Sequence, residues 1–168
     1  MLIVFSGLPG TGKTTIAKAL AAATAAVYLR VDTIEQAIRN AGVLARDVGC
    51  SGYRVANELA LSNLLLGHTV VVDCVNPVAE SRTAWSDIAA KAGVELANVR
   101  VICSDANEHR RRVETRTSDI PGLIPPTWES VLSHEYEQWD EAVFCLDTAQ
   151  ASAAQAVAVI VERLRLER

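Results

Sequence analysis

Aromatic residues are scarce in this chain of 168 residues, which contains three Trp, three Tyr and two Phe. Half of its residues are nevertheless apolar, and most of these are Ala, Val, Leu and Ile. Small aliphatic side chains of this kind suit helices that pack on a buried parallel sheet. Because the length also falls in the usual range of one domain, we expect a single α/β domain over residues 1–168.

Paired cysteines and long apolar segments are also missing. Cys50, Cys74, Cys103 and Cys145 stand singly, without the spacing of a metal site, and three of them lie in or beside strand-like runs. We predict that they are buried free thiols in a reducing, cytoplasmic compartment. No apolar run approaches the length of a membrane span and no basic leader precedes the first strand, so we expect a soluble protein.

A large net charge is absent as well, since 16 basic and 20 acidic residues leave the chain at −4. This balance argues against nucleic acid or an anionic membrane as a general partner. Positive charge is concentrated in one place, where His109, Arg110, Arg111 and Arg112 are followed by Arg116. This cluster predicts a local anion site.

The most informative segment that is present reads Gly-Leu-Pro-Gly-Thr-Gly-Lys-Thr at residues 7–14, a complete Walker A phosphate-binding loop. It follows an apolar strand-like run and precedes a helix-like stretch, which is the context that such a loop requires. Backbone N–H groups would surround the phosphates of a nucleoside triphosphate, Lys13 would reach the β- and γ-oxygens, and Thr14 would ligate Mg²⁺. The predicted nucleotide-binding residues are Gly7, Leu8, Pro9, Gly10, Thr11, Gly12, Lys13, Thr14 and Thr15.

Strand-like runs alternate with amphipathic stretches along the chain, a pattern typical of a doubly wound α/β fold. The predicted strands are 2–6, 27–31, 69–73, 99–103 and 143–147. The predicted helices lie near 13–24, 33–41, 52–66, 79–92, 107–116 and 152–166. The proline-rich segment 117–127 breaks this rhythm and is predicted to be a loop that acts as a lid, within a lid region of about 105–127.

Two aspartates at the ends of predicted strands are the leading candidates for chemistry. Asp32 ends the second strand and Asp73 the third, and ligands of open α/β sheets bind beyond these strand ends. We predict that Asp32 accepts the proton of a hydroxyl nucleophile and that Asp73 holds Mg²⁺ together with Thr14. The alternatives are structural. Asp32 would cap a helix that starts at Thr33, with Glu35 completing the pattern, and Asp73 would be a turn residue.

The arginine cluster can also be divided by spacing. Arg112 and Arg116 are four residues apart and share one helical face, where two guanidinium groups would clamp a transferring phosphoryl group. The alternative is a solvated helix face with Glu108 and Glu114 as partners. Two weaker candidates for contact with the acceptor are Arg82, for which an ion pair is an equal explanation, and Arg54.

Together these motifs resemble those of small P-loop kinases, in particular the group of predicted kinases that includes chloramphenicol phosphotransferase and the zeta toxins. The segments that carry the resemblance are 7–15, 30–32, 71–76, and 103–105 leading into 109–116. The resemblance covers nearly the whole chain and implies a three-layer α/β/α, nucleoside-kinase-like P-loop NTPase fold with five parallel strands in the order 2-3-1-4-5. It also implies ATP as the phosphoryl donor, Asp32 as the base, and Arg112 and Arg116 as lid arginines.

The sequence therefore predicts an ATP-dependent phosphotransferase that moves the γ-phosphoryl group to a hydroxyl of a small molecule. Asp73 is followed by Cys74 and not by a second carboxylate, so a hydrolysing water lacks an obvious base, and transfer is favoured over hydrolysis. Two alternatives stay open. One is a nucleotide or polynucleotide 5′-hydroxyl kinase, although the acidic net charge argues against a long nucleic acid. The other is a nucleotide-binding regulatory or toxin-like module. The acceptor and the oligomeric state are open.

Overall fold

A parallel sheet with a central first strand organises the molecule. The computed structural model describes residues 1–44, 47–139 and 143–166, so the predicted domain over 1–168 includes seven residues outside this description. The strands are β1 (Leu2–Ser6), β2 (Val27–Arg30), β3 (Val70–Asp73), β4 (Leu96–Ile102) and β5 (Phe144–Asp147). Their order is β2-β3-β1-β4-β5, all parallel, which confirms the predicted fold.

Helices cover both faces of the sheet. They are α1 (Lys13–Ala23), α2 (Val31–Ala41), α3 (Ser51–Leu65), α4 (Ala79–Ala92), α5 (Ala106–Thr115), α6 (Trp128–Leu132) and α7 (Ala153–Leu164). The alternation of side chains along β1 creates two cores. Ile3 and Phe5 pack with α1 and α7 on one face, whereas Leu2 and Val4 pack with α3 and α4 on the other.

Most element boundaries lie within one or two residues of the prediction, and the differences concern β4, α2 and α6. The strand β4 begins at Leu96, three residues earlier than predicted, because Leu96 pairs with Leu2 of β1. The helix α2 begins at Val31 and not at Thr33. The five-residue helix α6 was not predicted, since it is too short to show a periodic apolar pattern.

The cysteine prediction is right at one position and wrong at others. Cys74 is buried, Cys103 is half-buried, and Cys50 and Cys145 are exposed. Cys145 belongs to the edge strand β5, where one face is less completely covered than in the centre of the sheet. Within the described ranges, none of the helices is long and apolar enough to cross a membrane.

Candidate active site

The phosphate loop between β1 and α1 is shaped by glycines with positive φ angles and by one carbonyl group. The φ angles are 139° at Gly7, 83° at Gly10 and 93° at Gly12, a region that side chains disfavour. The Leu8 carbonyl accepts hydrogen bonds from Thr11 Oγ1 and Lys13 Nζ, each at 2.9 Å. The ammonium that is predicted to bind phosphate thus also helps to hold the loop in shape.

The helix α5 packs so closely against the loop that no residue with a side chain fits at position 10. A Cβ at Gly10 would lie 2.5 Å from Val113 Cγ2, whereas a Cβ at Gly67, with nearly the same φ of 87°, would meet open space. We expect Gly67→Ala to lower the free energy of unfolding by about 1 kcal/mol through backbone strain alone. Gly10→Ala should cost about 1–3 kcal/mol more because of overpacking. Urea denaturation measures both, and equal losses in the two variants would contradict a packed interface at Gly10.

Lys13 is a buried cation. Its side chain lies at the start of α1 and is 7% exposed. Desolvation lowers the pKa of Lys13 below its ordinary value of 10.5, and the nearby carboxylates of Asp73 and Asp32 oppose this shift. The ammonium is therefore held in a poorly hydrated position where contact with a phosphate oxygen would be strong.

Asp73 is buried at the end of β3, among polar side chains of β2. The register places Arg30 beside Asp73. The Tyr28 hydroxyl donates a hydrogen bond of 2.9 Å to Asp73 Oδ2, and Arg30 Nε lies 3.7 Å from the same oxygen. Burial and the Asp73 carboxylate raise the pKa of Tyr28, so the hydroxyl stays a donor. Asp73 is thus a buried strand residue with side-chain partners, and the predicted alternative of a turn residue is wrong.

Asp32 lies in the first turn of α2, and its side chain is exposed to solvent. The helix begins at Val31 with Arg30 as its N-cap residue, so the alternative that Asp32 caps the helix is wrong. Its side chain is 42% exposed and its Oδ2 lies 3.5 Å from Arg30 Nη2. Asp32 is therefore an accessible carboxylate, in contrast to the buried Asp73.

Three ionic residues that the sequence analysis did not select meet at the same edge of the sheet. Asp119, in the loop 117–127, contacts Lys18 through Oδ2 and Arg30 through Oδ1, the latter at 2.7 Å from Nη1. The hydrogen bonds from Lys18 and Arg30 lower the pKa of Asp119. The one signal in the sequence was Arg30, a charged residue inside an otherwise apolar strand; Lys18 and Asp119 look like ordinary surface residues.

The helix α5 is anchored to the phosphate loop. The Pro9 carbonyl lies 2.8 Å from His109 Nε2, and the His109 ring meets the Trp128 ring of α6 edge-on at 5.2 Å. Arg112 donates to Thr148 Oγ1 at 2.8 Å and to Glu108 at 2.8 Å. The helical half of the predicted lid region is therefore docked, and the irregular part is 117–127.

The remaining arginines of α5 bear out the surface alternative. Arg110 pairs with Glu114 and Arg111 pairs with Glu108, each at 2.7 Å. Hydrogen bonds from Arg111 and Arg112 hold the pKa of Glu108 at about 2. Glu108 thus pairs with a surface arginine and also orients Arg112 towards the interior.

A cleft of about 840 Å³ collects most of the predicted residues. Its lining includes Lys13, Thr14, Asp32, Asp73, Arg112 and Arg116, together with Pro9, Gly10, Gly12 and Thr15. Gly7, Leu8 and Thr11 do not line this cleft, although the Leu8 carbonyl helps to shape the loop through its bonds with Thr11 and Lys13. A second cavity of about 430 Å³ shares Gly12, Thr15 and Arg112 with the first and is bounded by residues 148–153.

Arg82 and Arg54 do not belong to this cleft. Arg82 donates hydrogen bonds to the carbonyl groups of Pro77, Glu137 and Gln138, and its guanidinium lies 4.3 Å from the centre of the Trp139 ring. It joins the segment 133–139 to the start of α4, and it forms no ion pair with any residue that the structure describes. Arg54 is exposed on α3. Neither arginine lines the large cleft, and their contacts with an acceptor stay predictions.

The oxygen donors in the cleft suit Mg²⁺ bound to a nucleotide. Among the described residues no three His, Cys, Asp or Glu side chains form a metal-binding cluster. Mg²⁺ is usually held by one or two protein oxygens together with phosphate oxygens and water. The Thr14 hydroxyl and the Asp73 carboxylate line the same cleft beside Lys13 and provide such a donor set.

Comparison with known sequences places the chain in a family. The family model AAA_33, described as an AAA domain, matches residues 2–121, more than two thirds of the chain. The chain belongs to this AAA domain family. The match includes the phosphate loop, Asp32, Asp73 and the helix α5. No curated protein matches this AAA domain protein in sequence.

Several solved structures have the same fold as this AAA domain protein. A protein from Chloroflexus aurantiacus assigned as a kinase superposes with a TM-score of 0.76 at 20% identity, over 98% of this chain and 95% of its own. A sugar kinase from Janibacter gives 0.72 at 19% identity, over 98% and 94%. APS kinase from Mycobacterium tuberculosis, in complex with AMPPNP and APS, gives 0.70 at 20% identity, over 98% and 96%. The fold is that of P-loop kinases, and the narrower group with chloramphenicol phosphotransferase and the zeta toxins stays a prediction.

Proposed function

We propose that this AAA domain protein is an ATP-dependent phosphotransferase that moves the γ-phosphoryl group of ATP to a hydroxyl of a small molecule. The observation that carries the proposal is the shared cleft, which is lined both by the accessible carboxylate of Asp32 and by the phosphate loop with its buried Lys13. Donor and acceptor of a phosphoryl group must meet in line, with the base beside the acceptor.

Asp32 suits the base better than Asp73 does. A base must come within hydrogen-bond reach of the acceptor hydroxyl, and the Asp32 side chain is 42% exposed whereas that of Asp73 is 4% exposed. Asp73 also accepts the hydrogen bond from Tyr28, which favours a fixed role as a Mg²⁺ ligand. Mg²⁺, held by Thr14 and Asp73 with the nucleotide, would neutralise charge on the β- and γ-phosphates.

Two arginines at the C-terminal end of α5 suit the transferring phosphoryl group. Arg112 lies in the last turn of α5, Arg116 is the C-cap residue with an extended backbone, and both line the cleft. Arg112 is oriented beforehand by Thr148 and Glu108. Fixed cations of this kind stabilise a charged transition state without reorganising when the charge develops. The second cavity, which continues from Gly12 and Thr15 to residues 148–153, has room for the nucleoside part of ATP.

The proposal is tested by mass spectrometry of the intact chain incubated with ATP, Mg²⁺ and pooled hydroxyl compounds. The pool contains sugars, nucleosides, aminoglycosides, amphenicols and short oligonucleotides, and EDTA replaces Mg²⁺ in the control. We expect a phosphorylated small molecule that is absent from the EDTA reaction, because the metal is needed on the phosphates. Product on oligonucleotides alone would favour the polynucleotide kinase. Binding of ATP with no product from any compound would contradict the proposal and favour the regulatory module.

A further inference from the structure

Two cations converge on one carboxylate at the rim of the cleft. Arg30 Nη1 contacts Asp119 Oδ1 at 2.7 Å, while Lys18 Nζ contacts Asp119 Oδ2, so each oxygen of the carboxylate has its own positive partner. The same pair of donors would fit the oxygens of a carboxylate, sulfate or phosphate group on a ligand. Asp119 therefore occupies a site with the chemistry of an oxyanion pocket.

The two cations of this site belong to a strand and a helix, whereas the carboxylate belongs to a loop. Arg30 belongs to β2 and its side chain is 5% exposed, and Lys18 belongs to α1. Asp119 is 53% exposed and lies in the loop 117–127, outside any helix or strand. The pair between Lys18 and Asp119, whose side chains are 48% and 53% exposed, contributes little net free energy. The bond from the buried Arg30 to Asp119 would be replaced by a bond of the same kind to the oxyanion of the ligand.

Arg30 keeps hydrogen-bonding capacity that its neighbours do not use. Its Nε is buried, and no residue in the described part of the chain accepts a hydrogen bond from it; Asp73 Oδ2 lies 3.7 Å away. The carboxylates of Asp32, Asp73 and Asp119 all contact Arg30. An acceptor group that replaces Asp119 would face the two cations Arg30 and Lys18. The arrangement therefore favours an anionic group over a cationic one.

The position of the site connects it to the acceptor. Arg30 touches Asp119 through Nη1 and Asp32 through Nη2, and all three residues line the large cleft. An anionic group bound in place of Asp119 would therefore hold the rest of its molecule beside Asp32. We propose that the acceptor is a hydroxyl compound that also carries a carboxylate, sulfate or phosphate group, and that this group replaces the Asp119 carboxylate between Lys18 and Arg30.

The acceptor part of this inference rests on the proposed phosphotransferase function, but the anion site can be tested without turnover. Isothermal titration calorimetry would measure the binding of inorganic phosphate to the full chain after saturation with AMPPNP and Mg²⁺, which fills the phosphate loop. The binding of AMPPNP is measured first. Sulfate and acetate, titrated in the same way, show which oxyanion the site prefers.

Two exposed substitutions give opposite expected shifts. Asp119→Asn removes the internal competitor and should tighten phosphate binding about fivefold, whereas Lys18→Gln removes one of the two cations and should weaken it about fivefold. Asp87→Asn and Lys91→Gln make the same charge changes at exposed positions of α4 and should leave phosphate binding within about twofold. Phosphate binding that is absent in Asp119→Asn, or equal in all five proteins, would overturn the anion site.

A paired acceptor assay separates this inference from the proposed function. Mass spectrometry would compare glucose with gluconate, and adenosine with adenosine 5′-monophosphate, each with ATP and Mg²⁺. Phosphorylation of the anionic member of a pair and not of its neutral counterpart is the expected result. Product from neutral members alone would overturn the anionic acceptor and leave the kinase standing. The phosphate shifts without any product would support the anion site and count against the kinase.

Discussion

Replacement of Lys13 by Ala is expected to lower phosphoryl transfer by about 10²–10³-fold, the effect of removing one fixed donor from a charged transition state. The reason is the buried position of the ammonium, which is 7% exposed and faces the cleft beside Asp32 and Asp73. In such a place a charge acts on phosphate oxygens with little screening. Steady-state transfer with any acceptor found in the pooled assay measures the loss. Lys91→Ala, on the exposed face of α4, is the matched control and should keep full activity.

A second substitution tests whether unfolding causes this loss. Lys13→Met removes the charge but keeps most of the volume, so it should be as inactive as Lys13→Ala. Burial lowers the pKa of Lys13, which means that the unfolded chain holds this proton more tightly than the folded chain. The charged side chain therefore costs stability at neutral pH, and the cost disappears above the ordinary pKa of 10.5. The melting temperature of Lys13→Met at pH 7 should equal or exceed that of the parent. Transfer at one tenth of the parent rate or more would remove Lys13 from the proposed mechanism.

Asp32→Asn is expected to reduce transfer by about 10²–10⁴-fold, which is the usual contribution of a general base. The amide keeps the shape of the side chain but cannot take the acceptor proton. Asp32 is accessible in the cleft, and the nearest ionic partner that the structure shows is Arg30 Nη2 at 3.5 Å. Binding of AMPPNP, measured by calorimetry, should change less than about twofold, because Asp32 is proposed to act on the acceptor and not on the nucleotide. Asp87→Asn is the matched control.

Comparison with Asp73→Asn distinguishes a base from a metal ligand. If Asp73 holds Mg²⁺, a higher Mg²⁺ concentration should restore part of the transfer by Asp73→Asn, since weaker metal binding is overcome by mass action. The same increase should leave Asp32→Asn inactive. Undiminished transfer by Asp32→Asn would exclude it as the base, and rescue of that variant by Mg²⁺ would exchange the two roles.

Local patterns in the sequence were sufficient for the elements that frame the site. The phosphate loop was predictable because glycines, a lysine and a threonine at fixed spacing are needed to surround phosphates, whatever the rest of the chain contains. The strands were predictable from apolar β-branched runs, and their order followed from the family resemblance and is confirmed. The start of α2 was misplaced, since Val31 looks like the last residue of a strand and in fact begins the helix that carries Asp32.

Distant contacts were beyond sequence reasoning. Arg30 and Asp119 are 89 positions apart, and Lys18 and Asp119 are 101 positions apart. Nothing in the local pattern around Lys18 or Asp119 distinguishes either from a solvated surface residue. The surroundings of Arg82 were equally hidden, because its position near the start of a helix gave no sign of the backbone carbonyls and the Trp139 ring that the fold places around it.

The sequence by itself determined that this chain forms a P-loop α/β domain with its first strand leading into a phosphate loop, because backbone conformation and side-chain periodicity are set by near neighbours. Only the tertiary structure decided which of the two aspartates is buried, which arginines face the cleft, and that Asp119 lies between Lys18 and Arg30. Burial and ion pairing depend on residues brought together across the sheet. Burial and ion pairing make Asp32 accessible and Asp73 enclosed, and this difference is the reason for proposing one as the base and the other as the metal ligand.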